Sequence, residues 1–235
     1  MTRFTRSLAG ALALTGAGAL AHAQLFGVGE FSLTGTQNLY SINPVNGAAT
    51  LIGSTGLRQT VAGDIFQLNM LTGAATLLED GATLTPESGF AVLPTTGRRF
   101  TTIFDDLHGS VAGPAAWSNL GASGLNSFDV SGLAFDPSLR LFGLVSNSTL
   151  ADELVEFNLA TGSATVIGAT GTASIATAGL TFNHATQQLL ASDGASLFSI
   201  DRSTGAATLI GAHGVAGFTG TPRMRTWERR KQPPT

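Results

Sequence analysis

The chain has no cysteine, so disulfides and thiolate metal sites are excluded and its stability must come from packing. It is also poor in charge. Asp, Glu, Lys and Arg make up 11% of its 235 residues, against roughly 25% in an ordinary domain. Long apolar runs are missing too. The one candidate, Leu8 to Leu20, is interrupted by Gly and Thr and falls short of the ~20 residues that span a bilayer. There is no G-x-S-x-G elbow, no P-loop, and no G-x-G-x-x-G opening a helix; GATGTA at 168–173 sits in a predicted loop between strands. Glycine, by contrast, is plentiful at 30 residues, and an apolar fraction of 43% suffices for a core and argues against disorder.

The ends of the chain differ from its body. Arg3 and Arg6, the apolar run and Ala21-His22-Ala23 read as a cleaved export signal over residues 1–23. The mature protein is then expected in the periplasm or outside the cell, with no membrane span after cleavage. Residues 24–221 carry 14 acidic residues against 5 Arg, a balance that repels phosphate backbones and excludes nucleic acid as a partner. Residues 222–235 carry 5 basic residues against Glu228 and read as a basic, disordered tail.

The body repeats itself. Leu39 to Gly53 (LYSINPVNGAATLIG), Ile65 to Leu78 (IFQLNMLTGAATLL), Val155 to Gly168 (VEFNLATGSATVIG) and Leu197 to Gly211 (LFSIDRSTGAATLIG) share one plan. An alternating apolar strand leads to an Asx residue, a turn ending in Gly, and a β-branched apolar strand. Asn43, Asn69, Asn158 and Asp201 each stand four residues before Gly47, Gly73, Gly162 and Gly205. The Asx side chain starts such a turn by accepting backbone N–H groups, and the Gly ends it in the left-handed conformation. Gly and Thr in place of helix formers rule out helices. LHGSVAGPAAWSNLG at 107–121 is a fifth, weaker copy.

A second element precedes the hairpin: SGLAFDPSLRLFGLV at 131–145, AGLTFNHATQQLLAS at 178–192 and, more loosely, SGFAVLPTTGRRFTTI at 88–103. Two hairpins make four strands per unit, recurring every 40 to 47 residues, which is the arithmetic of a propeller blade. These motifs resemble the GLAFDP…LYxID…TGAATLIG repeats of bacterial exported β-propellers, in the broad group that includes NHL-like and lactonase-like propellers. The resemblance covers most of residues 25–218 and implies an all-β propeller of about five blades, with the SGLAF strand innermost. On that mapping LFGV at 25–28 is a second strand, and Ala216 to Thr219 supplies the missing inner strand by pairing the two chain ends. Gly47 and Gly73 are too close in sequence for two inner strands between them, so one blade is incomplete. One reading of that defect is a truncated or degraded member of the family, and a non-functional remnant would be its consequence.

Candidate chemistry is sparse. His108, His184 and His213 read as scattered loop residues, and Asp105-Asp106 and Asp152-Glu153 as solvated turns, so no metal, cofactor or catalytic group is assigned. Asn147-Ser148-Thr149 has the glycosylation spacing, which signifies a surface loop. Tyr40, at the repeat position of Phe198, is expected between neighbouring blades, and Trp117 as core filling. The resemblance places Arg58, Asp129, Asn147 and Asp193 on one rim of the channel as the candidate ligand-binding residues. The leading expectation is a non-catalytic exported propeller binding a protein or glycan at that rim. The alternative is a metal-dependent hydrolase of lactonase or phytase type.

Overall fold

The computed structural model describes residues 25–29, 37–56, 65–69, 71–79, 89–103, 106–110, 117–125, 129–146, 152–172, 179–193 and 195–214. Every regular element among them is a strand, and the strands form five antiparallel sheets in chain order. Sheet 1 contains β1 (Leu25–Gly29), β2 (Asn38–Ile42) and β3 (Ala49–Ser54). Among the described residues sheet 2 contains β4 (Ile65–Leu68) and β5 (Ala75–Glu79). Sheet 3 runs β6 (Phe90–Val92), β7 (Arg99–Ile103), β8 (Asp106–Ser110), β9 (Ser118–Gly121). Sheet 4 runs β10 (Asp129–Phe135), β11 (Leu141–Ser146), β12 (Glu153–Phe157), β13 (Ala164–Ala169). Sheet 5 runs β14 (Gly179–Asn183), β15 (Gln188–Ser192), β16 (Ser196–Ile200), β17 (Ala207–Ala212).

The outer hairpins form as their sequence implies. In sheet 5 the Asp201 carboxylate accepts the N–H groups of Ser203 and Thr204 at 2.7 and 3.1 Å. Gly205, at φ +81°, donates its N–H to the Asp201 carbonyl at 2.8 Å. A residue with a Cβ resists that conformation. Asn43, Asn69 and Asn158 repeat the arrangement with Val45, Leu71 and Ala160. The weak copy at 107–121 is present as β8 and β9, and the second unit forms its outer hairpin, β4 with β5.

Successive sheets are stapled together at their outer strands. The first N–H of an outer strand donates to a carbonyl just past the end of the preceding one: Ala75 to Thr55 at 3.0 Å, Ala164 to Ser123 at 2.8 Å, Ala207 to Thr170 at 2.9 Å. Ala49 does the same to His213 at 2.9 Å, which brings the last sheet back against the first. At each staple a turn glycine faces an outer-strand glycine, and a Cβ on Gly47 would lie 2.5 Å from the Gly211 carbonyl oxygen. Five sheets in chain order with the fifth against the first make a β-propeller, in which, among the described residues, sheet 1 has three strands and sheet 2 two against four in the others. The staple between sheets 2 and 3 and the strand expected at Ala216 to Thr219 lie outside the described residues.

The core lies between the sheets. Ala91, Phe100 and Leu107 of sheet 3 meet Val130, Leu141, Val155 and Phe157 of sheet 4. Phe142, Leu144 and Leu154 of sheet 4 meet Leu189, Phe198 and Ile200 of sheet 5. Tyr40 and Ile42 of sheet 1 meet Leu190 and Leu197 of sheet 5. Tyr40 thus packs between blades, as its repeat position implies. Burying each such aromatic or aliphatic side chain contributes about 1.5–3 kcal/mol.

Candidate ligand groove

A concavity of about 940 Å³ lies between sheets 4 and 5. It opens where β10 turns into β11, β14 into β15 and β16 into β17. Asp136 organises it. One carboxylate oxygen caps the β10–β11 turn by accepting the N–H groups of Ser138 and Arg140 at 2.9 and 3.0 Å. The other accepts from the Arg202 guanidinium at 2.9 Å, and the Asp136 side chain is only 1% exposed. Asn183 holds the same turn position in sheet 5, accepting from Ala185 and Thr186. Arg202 also lies over the Phe182 ring of its own sheet at 5.1 Å, and its ion pair with Asp136 ties sheet 5 to sheet 4.

Arg140 borders the same groove. Its guanidinium lies 4.8 Å from the Phe142 ring centroid and grips Glu156 with two N–H groups, one at 2.9 Å. The hydrogen bond from Arg140 holds the Glu156 carboxyl below its ordinary range and pushes the guanidinium up in return. Asp201 is held low by the hydroxyl and amide of Ser203 and the amide of Thr204. The three carboxylates at or beside the groove are therefore all engaged by donors. The remaining lining offers amides and hydroxyls, among them Gln187, Gln188, Ser199 and Thr208. Such an arrangement can orient a polar ligand by hydrogen bonds.

The rim expected from the sequence lies at the opposite ends of these strands. Asp129 opens β10 with its backbone paired to Ser146. Asp193 sits between β15 and β16, where its carboxylate accepts the N–H groups of Ala195 and Ser196 at 2.8 and 2.6 Å and shapes the turn. Arg58 and Asn147 lie outside the described residues. Asp136, Glu156 and Arg202 were not singled out by sequence. The available signal was the Asp of SGLAFDP, at the turn position where AGLTFNH has Asn.

Two expectations are corrected. His108 is a strand residue in β8, where burial lowers its pKa and Asp106 partly offsets the effect. His213 does lie outside the strands, just after β17, but it is buried at 1% exposed, with Nδ1 2.9 Å from the Gly47 carbonyl and Nε2 2.8 Å from the Ser192 hydroxyl. It fills the ring closure, where the sequential staples have Thr55, Ser123 and Thr170. Asp152 is buried rather than solvated. His184 does lie in an exposed turn, as expected. Among the described residues no three His, Asp or Glu side chains converge to hold a metal, and no helix is long and apolar enough to cross a membrane.

No family model matches the chain, and no curated protein matches it. Solved structures do. A structure of a nidogen/laminin complex is similar over 73% of this chain and 70% of its own, at 15% identity and a TM-score of 0.48. TolB from Acinetobacter baumannii is similar over 77% of this chain and 50% of its own, at 10% identity and a TM-score of 0.43. A gluconolactonase from Xanthomonas campestris is similar over 77% of this chain and 59% of its own, at 17% identity and a TM-score of 0.39. The chain thus spans half to seven-tenths of these proteins' lengths. The likenesses carry nothing about activity, and the propeller assignment rests on the chain's own sheets and staples.

Proposed function

We propose that this protein is an exported, non-catalytic propeller that binds a protein or glycan. The observation that supports binding over catalysis is the state of the groove carboxylates: Asp136, Glu156 and Asp201 are each held by guanidinium or N–H donors. A general acid or base needs a carboxylate poised near the working pH, and the donors on Glu156 and Asp201 hold those two below their ordinary range. Export rests on residues 1–23, and the rim residues Arg58, Asp129, Asn147 and Asp193 form the rival contact surface.

Titration of the mature chain, from Gln24 onward, against a panel of defined oligosaccharides and purified envelope proteins tests this reading. Saturable binding without turnover is expected. Arg140→Ala with Gln188→Ala should weaken it about tenfold or more if the groove is the site. Arg58→Ala with Asn147→Ala should do so if the rim is. Chelator-sensitive hydrolysis of a lactone or phosphate ester, with stoichiometric calcium or zinc in the purified protein, would overturn the non-catalytic reading in favour of the hydrolase.

A further inference from the structure

Two guanidiniums border the groove between sheets 4 and 5, and each is held in place twice. Arg140 lies over the Phe142 ring and is ion-paired with Glu156. Arg202 lies over the Phe182 ring and is ion-paired with the buried Asp136. A long cation fixed between a ring and a carboxylate has little rotamer freedom left to lose when its remaining donors meet a ligand. Those donors are available. Among the described residues Arg202 uses one N–H group on Asp136 and Arg140 uses two on Glu156, whereas a guanidinium has five. The two side chains are 36% and 43% exposed. The pairing is particular to this interface. Between sheets 3 and 4 the positions of Asp136 and Arg202 carry Leu93 and Leu159, which pack against the core.

Acceptors stand beside the donors. One Asp201 carboxylate oxygen takes all the contacts that shape its turn, from Ser203 and Thr204, and among the described residues the other accepts none. Asp201 is exposed, and Gln188 adds an exposed amide to the same lining. The charges do not favour an anion, because each guanidinium already faces a carboxylate and Asp201 adds one more. A cation would gain from Asp201 but would meet both guanidiniums. A neutral hydroxyl has neither conflict, and through one atom it can accept from an N–H and donate to a carboxylate. A rigid body carrying many hydroxyls is a saccharide. The volume of about 940 Å³ lies toward the top of the roughly 300–1,000 Å³ of small-ligand sites, which leaves room for more than one sugar ring.

We propose that the groove between sheets 4 and 5 binds a neutral oligosaccharide, the free N–H groups of Arg140 and Arg202 donating to its hydroxyls and Asp201 and Gln188 accepting from them. This rests on the reading of the chain as a binding module and names the ligand class for its groove.

Isothermal titration of the mature chain with the neutral hexaoses of glucose, mannose and galactose tests it, with hexagalacturonate and hexaglucosamine as charged comparisons. Saturable binding of a neutral oligomer is expected, about tenfold or more tighter than either charged one. Two substitutions that the repeat already carries locate the site. Asn43, Asn69 and Asn158 stand at the Asp201 position in the sister turns, and Gln188 stands at the Arg140 position in sheet 5. Asp201→Asn and Arg140→Gln should therefore fold, which circular dichroism and melting establish. Asp201→Asn turns the free acceptor into a donor or leaves it neutral, and should weaken binding about tenfold. Arg140→Gln should weaken it about threefold to tenfold. No neutral hexaose bound by the folded wild-type chain, a charged oligomer bound more tightly, or binding unmoved by both variants would overturn the proposal. A purified envelope protein bound at the groove in place of every oligomer would also overturn it and leave the binding reading intact. Turnover of a bound hexaose would instead overturn the non-catalytic reading and leave the ligand class standing.

Discussion

Gly211→Ala is expected to destabilise the protein by about 3 kcal/mol or more, lowering Tm by roughly 10 °C. The cause is steric and lies between sheets. Gly211 has no unusual φ, but its Cβ would enter the Asn46 carbonyl in the turn of sheet 1. That carbonyl is main chain and cannot rotate away, so sheets 5 and 1 must separate and Ala49 loses its bond to His213. Gly56→Ala is the matched comparison. Gly56 has φ +74°, yet no atom lies within 4 Å of the place its Cβ would take; only the left-handed backbone opposes the change, at about 1–2 kcal/mol. Thermal melts of the two variants separate the effects. If Gly211→Ala melts no lower than Gly56→Ala, the sheets are not in contact there.

Asp136→Ala carries the second large expected effect, about 3 kcal/mol. The change removes two turn caps and leaves Arg202 without its carboxylate. The loss is held near the lower end of the usual range because Arg202 is 36% exposed and can turn to water. Asp136→Asn should cost less, since the amide oxygen can still accept from Ser138 and Arg140. In a double-mutant cycle by denaturant unfolding, Asp136→Ala and Arg202→Met should couple by about 1 kcal/mol or more. Additive effects would show that the pair does not join blades 4 and 5.

How far the sequence went follows from which interactions are local. The Asn43-to-Gly47 turn and its three companions were legible because each is closed by hydrogen bonds within five residues. The β4–β5 hairpin was legible for the same reason, its Asn69-to-Gly73 turn being closed locally. The inter-blade position of Tyr40 followed from its equivalence to Phe198. What could not be read was contact between units. Asp136 meets Arg202 across 66 residues, and His213 meets Gly47 across 166, and neither partner betrays the other along the chain.

The claim on which the rest depends is that the sheets close into a ring, the fifth against the first. The absence of cysteine makes this directly measurable, because cysteines placed at Val45 and Leu209 take spin labels at two sites alone; both side chains are exposed, at 81% and 60%. Each lies two residues from the Gly47–Gly211 contact, and a residue spans at most about 3.6 Å. Pulsed electron paramagnetic resonance should therefore give one narrow distance distribution centred below about 25 Å. A broad distribution centred at about 40 Å or more, as an open arc of sheets would give for a chain of this size, would contradict the ring.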